Sequence, residues 1–572
     1  MNILKWLKIY PNFEILILVA LLLVVLLRRQ PILKTAPDAF IRWFLLAKRR
    51  PWIAFLLIGL LAFAAAALFG VFAGIPQPYC RDEFSYLLAA DTFAQGRLAN
   101  PPHPLWMHFE SLHIIQQPAY ASKYPPAQGL VMALGQALTG YPIVGVWLSA
   151  GLACAVICWM LAGWVPLRWA LLGGLVAVIR IVFSGPPVQM HPLPYWSQSY
   201  WGGAVPALGG ALIFGALPRI IKKQKPRDAL WLALGLAILA NSRPFEGLVV
   251  SIPVLLILGI WLIRTKSVTW RIRLRRVVLP LVLVLLLTAS WMGFYNFRVT
   301  GDPFRMPYQV HEDAYVIVPL FLWQTLKAEP PYHHQILRTF HADSIKFFLN
   351  QQSLPGWLDS SINYKLKNFW MFFIGIIFIP SLLFLAASRK VWRKRNVMFP
   401  LAICLLMIAA LLVNPYFFPH YAAPVTCLVI LLLVESLRQA RRFTWRGRPM
   451  GRNLVNGAIL ALLASTLVSM ALSEKPSRWS QERARLAQEL EQSKEPQLVI
   501  VRYHQKKSPK DEWVYNRADI DRSKVVWARE MGAAADRELL DYFQDRRVWL
   551  LDAEQRQPRL APYPGVITTG DQ

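Results

Sequence analysis

The chain has 572 residues, of which 55% are hydrophobic, and it carries a formal net charge of +30. With a mean hydropathy of +0.37, this composition is typical of a membrane protein and excludes a soluble globular protein. Residues 473–572 hold 18 Lys and Arg against 17 Asp and Glu, so the positive excess belongs almost entirely to residues 1–472. The excess lies in short loops between apolar segments. The positive-inside rule therefore explains it, and no nucleic-acid partner is expected.

Apolar runs of spanning length predict a polytopic α-helical membrane protein with about twelve transmembrane helices in residues 1–472. The first run, Phe13 to Leu27, is followed by two arginines and lacks a small-residue cleavage site, so no cleavable signal peptide is expected. The runs begin near Phe13, Trp52, Tyr141, Arg168, Gly203, Asp228, Gly247, Val277, Phe369, Val397, Ala422 and Leu454.

The loops between these runs alternate in charge, which predicts their sidedness. Basic loops such as Arg271–Arg276 and Arg389–Arg395 are expected on the cytoplasmic face. Two long loops, 76–140 and 298–368, are then expected on the outer face; we call them the first and second long loops. They are rich in acidic and aromatic residues, and loops of this length usually carry function. Both termini are predicted on the same outer side.

Residues 473–572 are predicted to form a separate soluble α/β domain, here called the tail domain. Apolar strand patterns at Gln497–Tyr503, Lys524–Arg529 and Arg547–Asp552 alternate with helical patterns at Trp479–Ser493 and Ala533–Phe543.

No Walker motif, Gly-rich phosphate loop or CxxC pair occurs in the chain, which argues against ATP-driven transport. The five cysteines give no disulfide framework, and no cofactor is expected.

The stretch Tyr79–Phe84 places two carboxylates, Asp82 and Glu83, directly after an apolar segment. Carboxylates so close to lipid are unfavourable unless something pairs or uses them, although a solvated loop is the simple alternative. Lys123 follows in the run Ser122-Lys123-Tyr124-Pro125-Pro126, where a stiff turn with a snorkelling lysine is the simple alternative. Together they offer a base and a cation on one predicted surface.

An acidic residue after an early helix, followed by a Lys-Tyr-Pro-Pro run, resembles the GT-C glycosyltransferases. These include lipid A aminoarabinose transferases, protein O-mannosyltransferases and galacturonosyltransferase-like proteins. Further stretches resemble a bacterial branch of the superfamily with a soluble tail: 199–203, 241–247, 305–308, 419–421 and 511–516. The resemblance implies a polyprenyl-phosphate sugar donor in the lipid bilayer and a catalytic base in the first long loop. No DxD-type motif is present there, so no metal site is expected.

The resemblance implies functional roles for Asp82, Glu83 and Lys123, with Asp82 preferred as the base. An acceptor hydroxyl must lose its proton as it attacks, and cations must stabilise the departing phosphate. Candidate phosphate-binding residues on the predicted outer face are Lys123, Arg243, Arg298, Arg305 and His420. Candidate substrate-binding residues are Glu110, Tyr124, Trp201, Glu246, Tyr308 and Tyr421. Each cation has a simple alternative, either an interfacial anchor or, for Arg243, pairing with nearby Glu246.

The predicted function is an inverting glycosyltransferase of the bacterial inner membrane, with its active site and tail domain on the periplasmic side. The acceptor is a glycan, a lipid or a protein. A transporter or flippase of lipid-linked sugars is the alternative, but the apolar runs are nearly uncharged and show no internal repeat. A non-enzymatic scaffold in envelope assembly, with the tail domain as a binding module, is the third hypothesis.

Overall fold

The structure is a computed structural model that describes residues 10–27, 48–185, 194–265, 268–471, 478–504, 511–555 and 557–564. The predicted boundary between the membrane part and the tail domain, at residue 472, lies outside these ranges and stays a prediction. Within them, the chain is a helical bundle with two long loops at one end and a small sheet domain packed on those loops.

Eight described helices are long and apolar enough to cross a membrane, and a bent pair makes a ninth. Helices also stand at the other predicted segments: Tyr10–Leu27 with 18 residues, Leu167–Phe183 with 17 and Pro226–Ala240 with 15. The polytopic helical fold is thus confirmed, although fewer helices than twelve reach full spanning length. The eight are Pro51–Ala73, Pro142–Leu161, Ala204–Lys223, Pro244–Arg264, Trp270–Thr300, Arg395–Leu412, Ala423–Ala440 and Met450–Ala471.

The bent pair, Leu354–Ile374 and Ile376–Ala387, turns by 72° at Gly375. Gly375 has a φ of +76°, a conformation that favours glycine. A Cβ there would also lie 2.4 Å from Nη2 of Arg180, which donates to the carbonyl of Ile374 at 2.5 Å. The hydrogen bond from Arg180 holds the bend against the helix Leu167–Phe183.

The first long loop is an ordered layer on the bundle. It contains the helices Arg81–Ala94 and Pro126–Thr139, a short turn of helix at Trp106–Phe109 and a two-stranded antiparallel hairpin. The hairpin pairs Ile114 with Ser122, which places Lys123 beside the helix Arg81–Ala94. We call Arg81–Ala94 the Asp82 helix. The second long loop adds the helices Pro307–Tyr315 and Gln335–Asn350.

The tail domain is α/β, as predicted. Its sheet consists of the strands Gln497–Arg502 (β1), Val525–Arg529 (β2), Arg547–Asp552 (β3) and Leu560–Pro562 (β4) in the order β2-β1-β3-β4. β1, β2 and β3 are parallel, and β4 pairs antiparallel with β3. The helices Arg478–Glu491 and Ala533–Tyr542 complete the domain. The predicted strands and helices match to within two residues, except that β4 was not predicted.

The tail domain packs directly on the Asp82 helix. Tyr515 stacks on Phe84 with ring centroids 3.9 Å apart, and the backbone N–H of Ala518 donates to Asp91 at 2.8 Å. Buried Arg529 donates from Nε to the carbonyl of Glu110 at 2.7 Å. Buried contacts of this kind fix a helix more firmly than exposed ones, because their polar groups have no water to return to. The tail domain therefore holds the position of the helix that carries Asp82.

Candidate active site

Asp82 lies in the first turn of its helix, where the unpaired backbone N–H groups favour a negative charge. Its side chain is 23% exposed and lines a cavity. The Tyr124 hydroxyl donates a hydrogen bond to Oδ1 of Asp82, and Nδ1 of His113 lies 2.8 Å from that hydroxyl. Tyr124 also stacks on Tyr86 of the Asp82 helix with ring centroids 4.4 Å apart. Asp82 is thus oriented by groups from the hairpin while one side of it faces open space.

Burial lowers the pKa of His113 well below its usual value, so its imidazole is neutral. Because the Tyr124 hydroxyl uses its hydrogen in the bond that it donates to Asp82, Nδ1 of His113 is the donor to the phenol oxygen. The proton-donor order therefore runs from His113 through Tyr124 to Asp82. In this order Asp82 is the hydrogen-bond acceptor at the end of the chain, beside the cavity.

Glu83 has a different environment although it is the next residue. It is fully buried, and its Oε2 accepts hydrogen bonds from the backbone N–H groups of Tyr79 at 2.7 Å and Cys80 at 3.0 Å. Oε1 accepts from the N–H of Tyr200 at 2.9 Å. These bonds cap the helix and join it to the 194–203 segment. Glu83 therefore supports the structure around the site and does not line the cavity.

The cavity beside Asp82 has a volume of about 370 Å³ and is shared by both long loops and two helix junctions of the bundle. Its lining brings together most of the residues that the sequence indicated from separate stretches. Those residues are Asp82, Lys123, Tyr124, Arg243, Glu246, Tyr308 and Tyr421.

Lys123 and Arg243 supply positive charge to this cavity. The guanidinium of Arg243 lies 4.8 Å above the ring of Tyr421, a cation–π distance, and Arg243 immediately precedes the helix Pro244–Arg264. Burial lowers the pKa of Lys123 to about 8, against the opposing influence of Asp82 and Glu312. A lysine with a lowered pKa still carries a charge near neutrality, and an anion bound beside it would favour that charge further.

One wall of the cavity is apolar. It is formed by the segment Val316 to Phe321 of the second long loop and by Phe245. Phe245 and Phe321 have ring centroids 5.0 Å apart, and Phe321 stacks on Trp323, which is 67% exposed. A cavity with charged groups at one side and an apolar wall at the other suits an amphipathic ligand.

Besides Glu83, five predicted site residues do not line the cavity. Arg298 is exposed and does not line the cavity, and Arg305 pairs with exposed Asp313 at 2.7 Å. His420 is buried behind the lining, with Nδ1 2.5 Å from the Tyr195 hydroxyl, and burial lowers its pKa well below the usual value. Trp201 packs at the same place against Tyr195.

Glu110 is the fifth of these residues. It is buried under the tail domain, where it accepts hydrogen bonds from the Tyr315 hydroxyl at 2.7 Å and from His333 at 3.0 Å. Burial raises the pKa of Glu110.

Several residues that line the cavity were not predicted from the sequence. Arg81 stands beside Asp82 in sequence, and its guanidinium lies 4.1 Å above the ring of Phe340. The position of Arg81 next to the acidic pair could have identified it as a site residue from the sequence. His113, Glu312 and His341 also line the cavity, but they come from separate segments of the two long loops. No local pattern marks them.

Comparison with known proteins gives structural matches only. No protein-family model and no curated protein matches the sequence. ArnT from Cupriavidus metallidurans in the apo state matches with a TM-score of 0.48 and 13% identity over 86% of this chain and 92% of that chain. Its undecaprenyl phosphate complex gives a TM-score of 0.47 at the same identity and coverage.

The apo oligosaccharyltransferase of Archaeoglobus fulgidus matches with a TM-score of 0.47 and 11% identity over 78% of this chain and 62% of that chain. These solved structures are GT-C enzymes, the superfamily that the sequence motifs resemble. At TM-scores below 0.5 the likeness carries no conclusion about chemistry.

Proposed function

We propose that the chain is an inverting glycosyltransferase that moves a sugar from a polyprenyl-phosphate donor to a hydroxyl group of an acceptor. The observation that supports this most directly is the single cavity in which Asp82 meets Lys123 and Arg243 beside an apolar wall. The basic loops at the opposite end of the bundle favour a site on the outer face of the bacterial cytoplasmic membrane.

In the proposed reaction, Asp82 takes the proton of the acceptor hydroxyl as its oxygen attacks the anomeric carbon. The bond from that carbon to the phosphate oxygen breaks, and both of its electrons leave with the polyprenyl phosphate. Lys123 and Arg243 stabilise the added charge on the phosphate. A single displacement of this kind inverts the anomeric centre. The apolar wall at Val316 to Phe321 holds the first part of the prenyl chain.

The proposal is tested with the purified full chain in lipid nanodiscs and a panel of undecaprenyl-phosphate-linked pentoses and hexoses. Release of undecaprenyl phosphate from at least one donor is the expected result, measured by chromatography with and without candidate acceptors. If no donor in the panel is consumed and undecaprenyl phosphate itself does not bind, the proposal is wrong. Movement of an intact sugar lipid across vesicles without a product would favour a flippase.

Binding of undecaprenyl phosphate is expected to weaken as the pH rises through about 8, because Lys123 then loses its charge. The second ionisation of a phosphate monoester lies near pH 6, so the ligand does not change between pH 7 and 9. The measurement is a titration of the full chain with undecaprenyl phosphate at pH 7, 8 and 9. Lys123→Arg is the matched control, since an arginine stays charged throughout and removes this pH dependence. Equal pH dependence in both proteins would contradict the role of Lys123.

A further inference from the structure

A second cavity, of about 350 Å³, lies at the other end of the bundle from the Asp82 cavity. Three apolar helices of spanning length meet there. The lining comes from residues 163–164, after the helix Pro142–Leu161, from residues within 217–222, in the last turns of Ala204–Lys223, and from residues within 394–399, at the start of Arg395–Leu412.

The helix Arg395–Leu412 gives the distance between the two cavities. Arg395 lines the second cavity, and Asn414, two residues beyond the other end of the helix, lines the Asp82 cavity. The 18 residues of this helix span about 27 Å, close to the roughly 30 Å of a bilayer's hydrocarbon core. The two cavities therefore lie at opposite faces of the membrane. With the Asp82 cavity on the outer face, as proposed, the second cavity lies at the cytoplasmic face.

Pro218 and Trp164 together build one apolar wall of the second cavity. Pro218 lies inside the helix Ala204–Lys223 and has no backbone N–H, so the carbonyl of Phe214, four residues earlier, loses its helical donor. The indole Nε1 of Trp164 donates to that carbonyl at 2.9 Å. Because the indole N–H is the only polar group of a tryptophan side chain, the rest of the ring is apolar. Phe399, which also lines the cavity, lies parallel to this ring with centroids 5.7 Å apart.

The charged side chains that line the second cavity are all basic. They are Lys222, Lys394 and Arg395, of which Lys394 is half-buried and the other two are exposed. Among the described residues of the lining, none is acidic. The cavity therefore concentrates positive charge beside an apolar wall, an arrangement that attracts an anion with an apolar part.

The carboxylate behind this lining is already paired. Glu435 is buried and accepts hydrogen bonds from Nη1 of Arg438 at 2.9 Å and from the amide of Asn396. Asn396 lines the cavity, whereas Glu435 and Arg438 do not. Since Arg438 balances the charge of Glu435, that carboxylate leaves the positive charge of the lining in place.

The position of the cavity at the helix ends favours a lipid over a soluble anion. Basic pockets between transmembrane helices at the cytoplasmic face bind the phosphates of anionic lipid headgroups. An acyl chain would lie against the rings of Trp164 and Phe399, whereas a soluble phosphate compound would leave these rings uncovered.

We infer that the second cavity binds the headgroup of an anionic phospholipid. Its phosphate lies at Lys222, Lys394 and Arg395, and the first part of an acyl chain lies against Trp164 and Phe399. Only the assignment to the cytoplasmic leaflet rests on the proposed orientation, and the site does not depend on the proposed reaction. Because the lipid contacts three helices at once, its binding should raise the thermal unfolding temperature of the bundle.

The test titrates the delipidated full chain in a non-ionic detergent and counts bound molecules by native mass spectrometry. The probes are phosphatidylglycerol, the zwitterionic lipid phosphatidylcholine and soluble glycerol 3-phosphate. Wild type is expected to bind phosphatidylglycerol at least tenfold more tightly than either of the other two. The combined variant Lys222→Gln, Lys394→Gln and Arg395→Gln should lose one bound phosphatidylglycerol per chain.

The matched control removes three other positive charges from the same end of the bundle. Arg271, Arg275 and Arg276 are exposed, lie at the start of the helix Trp270–Thr300 and do not line the cavity. Their combined replacement by Gln should leave the number of bound phosphatidylglycerol molecules unchanged. The double variant Lys222→Arg and Lys394→Arg keeps the charge of the cavity and should bind as wild type does.

Equal loss of phosphatidylglycerol in both triple variants would show a diffuse attraction to surface charge and would overturn the site. Equal binding of phosphatidylcholine and phosphatidylglycerol by wild type would also overturn it. Glycerol 3-phosphate that binds as tightly as phosphatidylglycerol, and is lost in the cavity variant, would assign the cavity to a soluble phosphate compound and overturn the lipid. These outcomes leave the proposed glycosyltransferase unaffected, because its test concerns the Asp82 cavity.

Discussion

Replacing Asp82 with Asn is expected to lower the rate of sugar transfer by about 10²–10⁴-fold, the usual contribution of a positioned general base. Asparagine has nearly the same shape and keeps an oxygen that can accept the hydrogen bond from Tyr124. It cannot take a proton from the acceptor hydroxyl. The measurement is the initial rate of undecaprenyl phosphate release with a donor that wild type consumes.

Asp82→Asn should still bind undecaprenyl phosphate at pH 7, because Arg243 keeps its charge and a negative charge has been removed from the cavity, although Lys123 loses a neighbour that favours its charged form. Asp313→Asn is the control. Asp313 is a half-exposed carboxylate of the second long loop that does not line the cavity, and its replacement should leave the rate unchanged. An Asp82→Asn protein with the wild-type rate would exclude Asp82 as the base.

Replacing Glu83 with Ala is expected to destabilise the fold by about 2–4 kcal/mol. The substitution removes the acceptor of the buried backbone N–H group of Tyr200 and of the partly buried N–H groups of Tyr79 and Cys80, and a buried donor left unpaired costs about 1–3 kcal/mol. The measurement is the thermal unfolding temperature, followed with a thiol-reactive dye, and this temperature is expected to fall. Cys154, Cys158, Cys404 and Cys427 are buried and become reactive only when the bundle opens.

Glu83→Gln keeps one side-chain oxygen and should unfold at a temperature between those of wild type and Glu83→Ala. Asp82→Asn is the matched comparison, since it changes the adjacent carboxylate and should unfold as wild type does. A Glu83→Ala protein of normal stability but without activity would show that Glu83 acts on the substrate and not on the fold.

These two predictions separate adjacent carboxylates that the sequence could not separate. Both lie in the first turn of one helix, where a step of one residue turns the side chain by roughly 100°. That rotation directs Asp82 to the cavity and Glu83 into the bundle. The environment of Glu83 also depends on Tyr200, which is 117 positions away in the sequence. No local sequence pattern indicates a hydrogen-bond partner at that distance along the chain.

The sequence also could not separate the predicted phosphate-binding cations that line the cavity from those that do not. A position on the predicted outer face was the criterion for Lys123, Arg243, Arg298 and Arg305, and only the first two line the cavity. Arg298 and Arg305 lie on the second long loop but outside the lining, and Arg305 has its own partner in Asp313. The charge of a loop predicts on which side of the membrane its residues lie. Whether two of these residues line the same cavity depends on how the loops fold over one another.

The sequence by itself determined the polytopic helical bundle, the two long loops and the α/β character of the tail domain. Hydrophobic length and the alternation of strand and helix patterns are local properties that each segment carries alone. Only the tertiary structure decided that the tail domain packs on the Asp82 helix and that His113 and Arg81 join the site. These features are contacts between groups as much as about 400 residues apart, and packing, not local periodicity, brings such groups together.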